Sequence, residues 1–174
     1  MTPRARGALI ALVQVAVVAS VGGKLLYDRA VLPRAWIETA GVDPDLPIRG
    51  RYVALNLVPP VVDDGPSLPE HAQFAHGRLE VRDGRAVAVL RADAGPGRPD
   101  ARHPLAFVRD DPVAGGRWRT LEPVAFFLPE DVPDPTLGRA PGELWVEATL
   151  PPRGAPRPLR LGVARDGRVE PLPR

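Results

Sequence analysis

The stretch Arg51-Tyr52-Val53-Ala54-Leu55-Asn56-Leu57-Val58 decides the fold class. Val53, Leu55 and Leu57 recur at every second position, with Tyr52, Ala54 and Asn56 between them. Successive strand side chains point to opposite faces, so this alternation means one apolar face and one mixed face. Pro59 and Pro60 end the strand, because proline cannot donate to a sheet ladder. Two further pairs of alternating segments lie downstream, 78–82 with 85–90 and 160–164 with 168–170. Asp83-Gly84 separates the first pair and Asp166-Gly167 the second. Asp-Gly in that setting predicts a two-residue hairpin turn, whose two central residues take positive φ. Strands are also expected at 34–39, 118–128 and 143–150.

Working outward, the stretches 59–76, 93–104, 110–116, 129–142 and 151–158 read as loops, the fourth being the most proline-rich. The chain holds 23 Pro and 17 Gly in 174 residues, yet 44% of it is apolar. That combination predicts short elements joined by many turns around a core that can still be built. No helical periodicity is sustained beyond residue 30. Residues 31–174 are therefore expected to form an all-β unit of about seven or eight strands, a small antiparallel β-sandwich or partly open barrel.

Residues 1–30 are of another kind. Gly7 to Gly23 carries no formal charge, and extension through Lys24 to Leu26 gives an apolar run of roughly 30 Å as a helix, one hydrocarbon thickness. Lys24 can snorkel, and Tyr27 stands where interfacial aromatics are favoured. Arg4 and Arg6 ahead of the run favour a cytoplasmic N-terminus. The alternative is a cleaved secretory signal, with Ala19, Ser20, Gly22 and Gly23 as the small residues near its end. No Ala-x-Ala closes it and apolar character resumes at Leu25, so a retained transmembrane anchor is expected, with residues 31–174 exported to the periplasm. Within the anchor, Ala16, Ala19, Ser20 and Gly23 form one small-residue face of the sort that lets membrane helices approach closely.

Charge removes one class of function. Residues 1–30 carry Arg4, Arg6, Lys24 and Arg29 against Asp28, a net of +3. Residues 31–174 carry 19 Arg against 20 acids, a net of −1. The basic balance belongs to the N-terminal segment, and the β-unit lacks the net positive field that drives nucleic-acid binding. There is no cysteine, hence no disulfide, thiolate metal site or thiol nucleophile.

From Val42-Asp43-Pro44 through Arg49-Gly50-Arg51-Tyr52 to Leu55 and Leu57, the chain resembles the GDYXXLXY family of bacterial membrane-anchored proteins. Phe126-Phe127-Leu128-Pro129-Glu130 is similar to a second pattern of that family. The resemblance implies Asp43, Pro44, Arg49, Gly50, Tyr52, Leu55, Leu57, Pro129 and Glu130 as motif positions of structure or interaction. It also implies an accessory subunit beside a multi-spanning membrane protein, with no assigned reaction. Two positions depart from the motif. Arg51 stands for its Asp, and Leu57 for its last Tyr. Leu57 shares the apolar face of Val53 and Leu55, so packing is conserved there, whereas a guanidinium for a carboxylate removes any proton-transfer or metal-ligand role.

Asp45-Leu46-Pro47-Ile48-Arg49-Gly50 before a strand also resembles signal peptidases, whose chemistry needs a Ser–Lys pair. Ser20, Ser67 and Lys24 are the only residues of those types, and no such pair falls in the β-unit. Ser67 with His71 or His103 lacks a strand–turn–helix elbow. His71 and His76 are spaced wrongly for one helix or strand face, and with His103 they read as loop-surface residues, so no metal and no cofactor is expected. Asp43/Asp45, Asp63/Asp64 and Asp110/Asp111 adjoin Pro or Gly, where Asp caps turns. Asp43 and Arg49 are expected to pin the turn before the motif strand. The expected function is a non-enzymatic partner subunit of another envelope protein. The alternatives are a hydrolase using carboxylates among Asp43, Asp45, Glu130 and Glu143, or a released periplasmic binding module.

Overall fold

The computed structural model describes residues 3–42, 52–62, 68–69, 71–92, 102, 104–111, 116–129, 132–136, 138–140, 142–152 and 154–172. They fall into two compact units divided between Leu32 and Pro33. The first is helix α1 (Pro3–Val31), which buries none of its residues. Its most apolar 18-residue window has a mean hydropathy of 2.1, enough in length and composition to cross a membrane, as a signal sequence also has. Ala16, Ala19, Ser20 and Gly23 are all exposed on it. The Ser20 hydroxyl donates to the Val17 carbonyl at 2.8 Å, so the one polar group of that face is satisfied within the helix.

The second unit is built of strands, as the alternation predicts. They are β1 (Arg34–Val42), β2 (Tyr52–Leu57), β3 (Phe74–Arg82), β4 (Arg85–Ala92), β5 (Leu105–Arg109), β6 (Trp118–Thr120), β7 (Val124–Phe127), β8 (Leu144–Thr149), β9 (Arg157–Arg165) and β10 (Arg168–Pro171). Both Asp-Gly turns form the expected hairpins. Asp83 and Gly84 have φ of 51° and 74°, and Asp166 and Gly167 have 48° and 77°, positive at both central positions of each turn.

β1 organises the sheet because it is shared. One edge pairs antiparallel with β8, from Arg34 opposite Thr149 to Glu38 opposite Trp145. The other edge is divided. Near its start Trp36 makes a single parallel bridge to Arg85 of β4, and its second half, from Thr39, pairs antiparallel with β2. Two curled arrays result, β7-β2-β1-β8-β9-β10 and β1-β4-β3-β5-β6. β6 returns to β2 through one bond, from the Leu57 N–H to Thr120 Oγ1 at 3.0 Å. β7 comes near β9 but does not pair with it, so the sheet stays open there.

Each array encloses a core. The first joins Ala35, Ile37, Val53, Leu55, Leu57, Val146 and Leu161, with Phe126, Leu128 and Leu172 packed on its border. The second joins Ala75, Ala88, Leu90, Phe107 and Trp118. Val53, Leu55 and Leu57 are 4%, 0% and 0% exposed, all three packed inside the first core.

Several boundaries differ from those expected, each for a physical reason. The segment 118–128 is two strands, since Leu121-Glu122-Pro123 turns the chain from β5 toward β2. β3 begins at Phe74, inside the stretch read as a loop, so His76 is a strand residue only 7% exposed and not a loop-surface one. The alternation was hidden there by Gly77, where a Cβ would lie 2.6 Å from the Val89 carbonyl oxygen and from Leu90. In the same stretch the Val62 N–H donates to the Ala88 carbonyl at 3.0 Å, and the Ala88 N–H to the Pro60 carbonyl at 2.8 Å, so 60–62 runs along β4. β5 had no expected counterpart, and β9 starts within the loop assigned to 151–158.

Candidate interaction cleft

Where β7 and β9 fail to join, the unit opens into a cleft of about 620 Å3. One wall is Phe126, Phe127, Leu128 and Pro129, which continue from β7. The opposite wall is Leu159, Arg160 and Leu161 of β9, with Leu172 beyond β10. Val132, Pro133, Asp134, Pro135 and Arg139 of the proline-rich connection close the third side. Such largely apolar concavities with a few polar groups are the usual form of a binding site.

The strand edge beside the cleft is chemically unlike the other edges. β10 carries Arg168, Glu170 and Pro171, and β6 carries Arg119, which is ion-paired with Asp110. Charges and proline are the devices that keep sheet edges from pairing with other chains. β7 reads Val124-Ala125-Phe126-Phe127 without a charge, and its second edge pairs with no described strand. Phe127 is 73% exposed, with its ring 6.1 Å from that of Tyr52 on β2.

A second concavity, of about 400 Å3, is lined by Glu38, Arg85, Arg117, Trp118 and Trp145 among others. Its charges are already engaged with one another. Arg117 makes a bidentate pair with Glu38, both bonds at 2.5 Å. That hydrogen bonding, together with the nearby Glu38 and Asp110 charges, raises the Arg117 pKa against the opposing effect of burial. Arg85 stacks over Trp145 at 5.4 Å and donates to the Gly167 carbonyl at 3.0 Å. These groups hold β1, β4, β8 and the β9–β10 turn to one another.

The motif positions separate sharply. Leu55 and Leu57 lie in the first core, Tyr52 is half-buried against Phe127, and Pro129 lines the cleft. Asp43, Pro44, Arg49, Gly50 and Glu130 lie outside the described residues, as do Asp45, Asp63, Asp64, Ser67 and His103. Thus the turn-pinning Asp43–Arg49 pair is not among the described contacts. Glu143, the described member of the hydrolase set, accepts from the Ala140 N–H at 3.2 Å. No group of three His, Asp or Glu suited to a metal occurs among the described residues. Sequence reading did not single out Arg139, Leu161 or Leu172, which meet only through folding. No family model matches the chain, and no curated protein or solved structure matches it either.

Proposed function

We propose that this protein is a single-pass protein of the bacterial inner membrane, its N-terminus cytoplasmic and its β-unit periplasmic, acting as a non-enzymatic accessory subunit of a multi-spanning membrane protein. The observation that carries the reading is the uncharged edge of β7 that pairs with no described strand, with Phe127 exposed on it. Exposed strand edges template pairing with another chain, and a partner that covers this edge relieves the liability. The apolar helix and the arginines ahead of it support the anchor and its orientation. The likeness to the GDYXXLXY family supports the same role through its membrane-anchored members.

The test is isolation of the full-length, C-terminally tagged protein from membranes in mild detergent. A multi-spanning partner is expected in near-equal amount, lost with Phe127→Ser while thermal unfolding of the variant stays in place. Isolation without a partner, or a partner held equally well by Phe127→Ser, overturns the docking role of β7.

A further inference from the structure

Among the described residues, three charged side chains line the cleft between β7 and β9, and they are not equivalent. Arg160 is already neutralised, its Nε donating to Glu147 Oε2 at 2.6 Å. Asp134 is built into its own turn, Oδ1 accepting from the Thr136 N–H at 2.8 Å and the Thr136 hydroxyl at 2.7 Å. Among the described residues Arg139 is fixed at one point, Nε donating to the Pro135 carbonyl at 2.7 Å. Its two terminal nitrogens make no hydrogen bond or ion pair among the described residues. A half-buried guanidinium is thus held through Nε at the rim of an apolar cleft, its two terminal nitrogens unpaired among the described residues. The fork they form matches the paired oxygens of a carboxylate or phosphate.

We propose that this cleft binds a single-chain amphiphile with an anionic head, the hydrocarbon chain lying against Phe126, Leu128, Leu161 and Leu172 and the head pairing with the terminal nitrogens of Arg139. Apolar burial supplies the attraction for the chain, and one charge-assisted contact fixes its direction. Asp134 in the same cleft disfavours heads of higher negative charge, because like charges in a confined site repel. The site goes beyond the partner role and does not depend on it. Chain binding uses Phe126, Leu128, Leu161 and Leu172, whereas docking uses the β7 edge and the exposed Phe127, which borders the same cleft.

The test is photolabelling of the full-length protein in nanodiscs of zwitterionic lipid. The probes are a diazirine-bearing hexadecanoic acid, the matching hexadecyl phosphate and the matching neutral hexadecanol, with sites mapped by mass spectrometry. At least one anionic probe is expected to label residues 126–129 or 159–161 about tenfold more than the alcohol. Whichever anion labels more strongly names the head group. Arg139→Gln is expected to reduce that labelling to the level of the alcohol, and Arg139→Lys, which keeps the charge but loses the fork, to leave it between that level and the unaltered protein's. Equal labelling by all three probes, labelling confined to α1, or unchanged labelling in Arg139→Gln overturns the proposal. Loss of labelling in Arg139→Lys with a lowered unfolding temperature also overturns it, since Arg139 is then a support of the loop and not a ligand-binding group. Partner retention by the same variants is read separately, so either reading can fail alone.

Discussion

β2 and β7 are hydrogen-bonded neighbours, yet they do opposite work. β2 turns Val53, Leu55 and Leu57 into the core, pairs with β1 on its other edge and is also tied through the Leu57 N–H to Thr120 of β6. β7 turns Phe127 to solvent and leaves its far edge unpaired among the described residues. Their ladder places Tyr52 opposite Phe127 and Leu55 opposite Val124, so each apolar residue of β7 borrows its position from β2. β2 is thus mainly a packing device, and β7, some seventy residues later, is where the surface becomes available.

Four substitutions test how sharp that division is. Leu57→Ala removes a fully buried side chain and is expected to cost about 3 kcal/mol, read as a lowered denaturation midpoint of the full chain. Thr120→Val leaves the buried Leu57 N–H without its acceptor and is expected to cost about 2 kcal/mol by the same measurement. Tyr52→Ala deletes the ring contact that orients Phe127, and a loss of about 1 kcal/mol is expected, together with weaker partner retention. Phe127→Ser changes an exposed residue and is expected to shift stability by less than about 0.5 kcal/mol. A large stability loss in Phe127→Ser would erase the contrast between the two strands. A negligible one in Leu57→Ala would do the same from the other side.

What could be read from the sequence follows the distance over which the signal acts. β2 and both Asp-Gly hairpins were legible because alternation and positive-φ turn chemistry are local. β5 was not, since Leu105-Ala106-Phe107-Val108-Arg109 is short and mostly apolar, and only Phe107 is fully buried. The break at Pro123 was visible as a residue but not as a change of sheet, because that depends on where β2 lies. Glu38 and Arg117 are 79 positions apart, and no periodicity links them. The cleft is less legible still: Pro129 was singled out, but Leu161 and Leu172 come from the last hairpin and Arg139 from a proline-rich loop with no pattern of its own.

The shared position of β1 bears on how the chain is made. β1 emerges first among the strands, but its longest ladder is with β8, more than a hundred residues later. At synthesis rates of ~5–20 residues per second, Ile37 and its neighbours wait on the order of 5–20 s for their partner strand. The β3–β4 hairpin and its β5 neighbour can assemble in the meantime, whereas the array around the cleft cannot be finished until the C-terminal hairpin has been delivered. Such long-range pairing folds slowly and exposes apolar strands on the way. A chain truncated before β8 is therefore expected to be a substrate for chaperones and proteases, not a smaller version of the same protein.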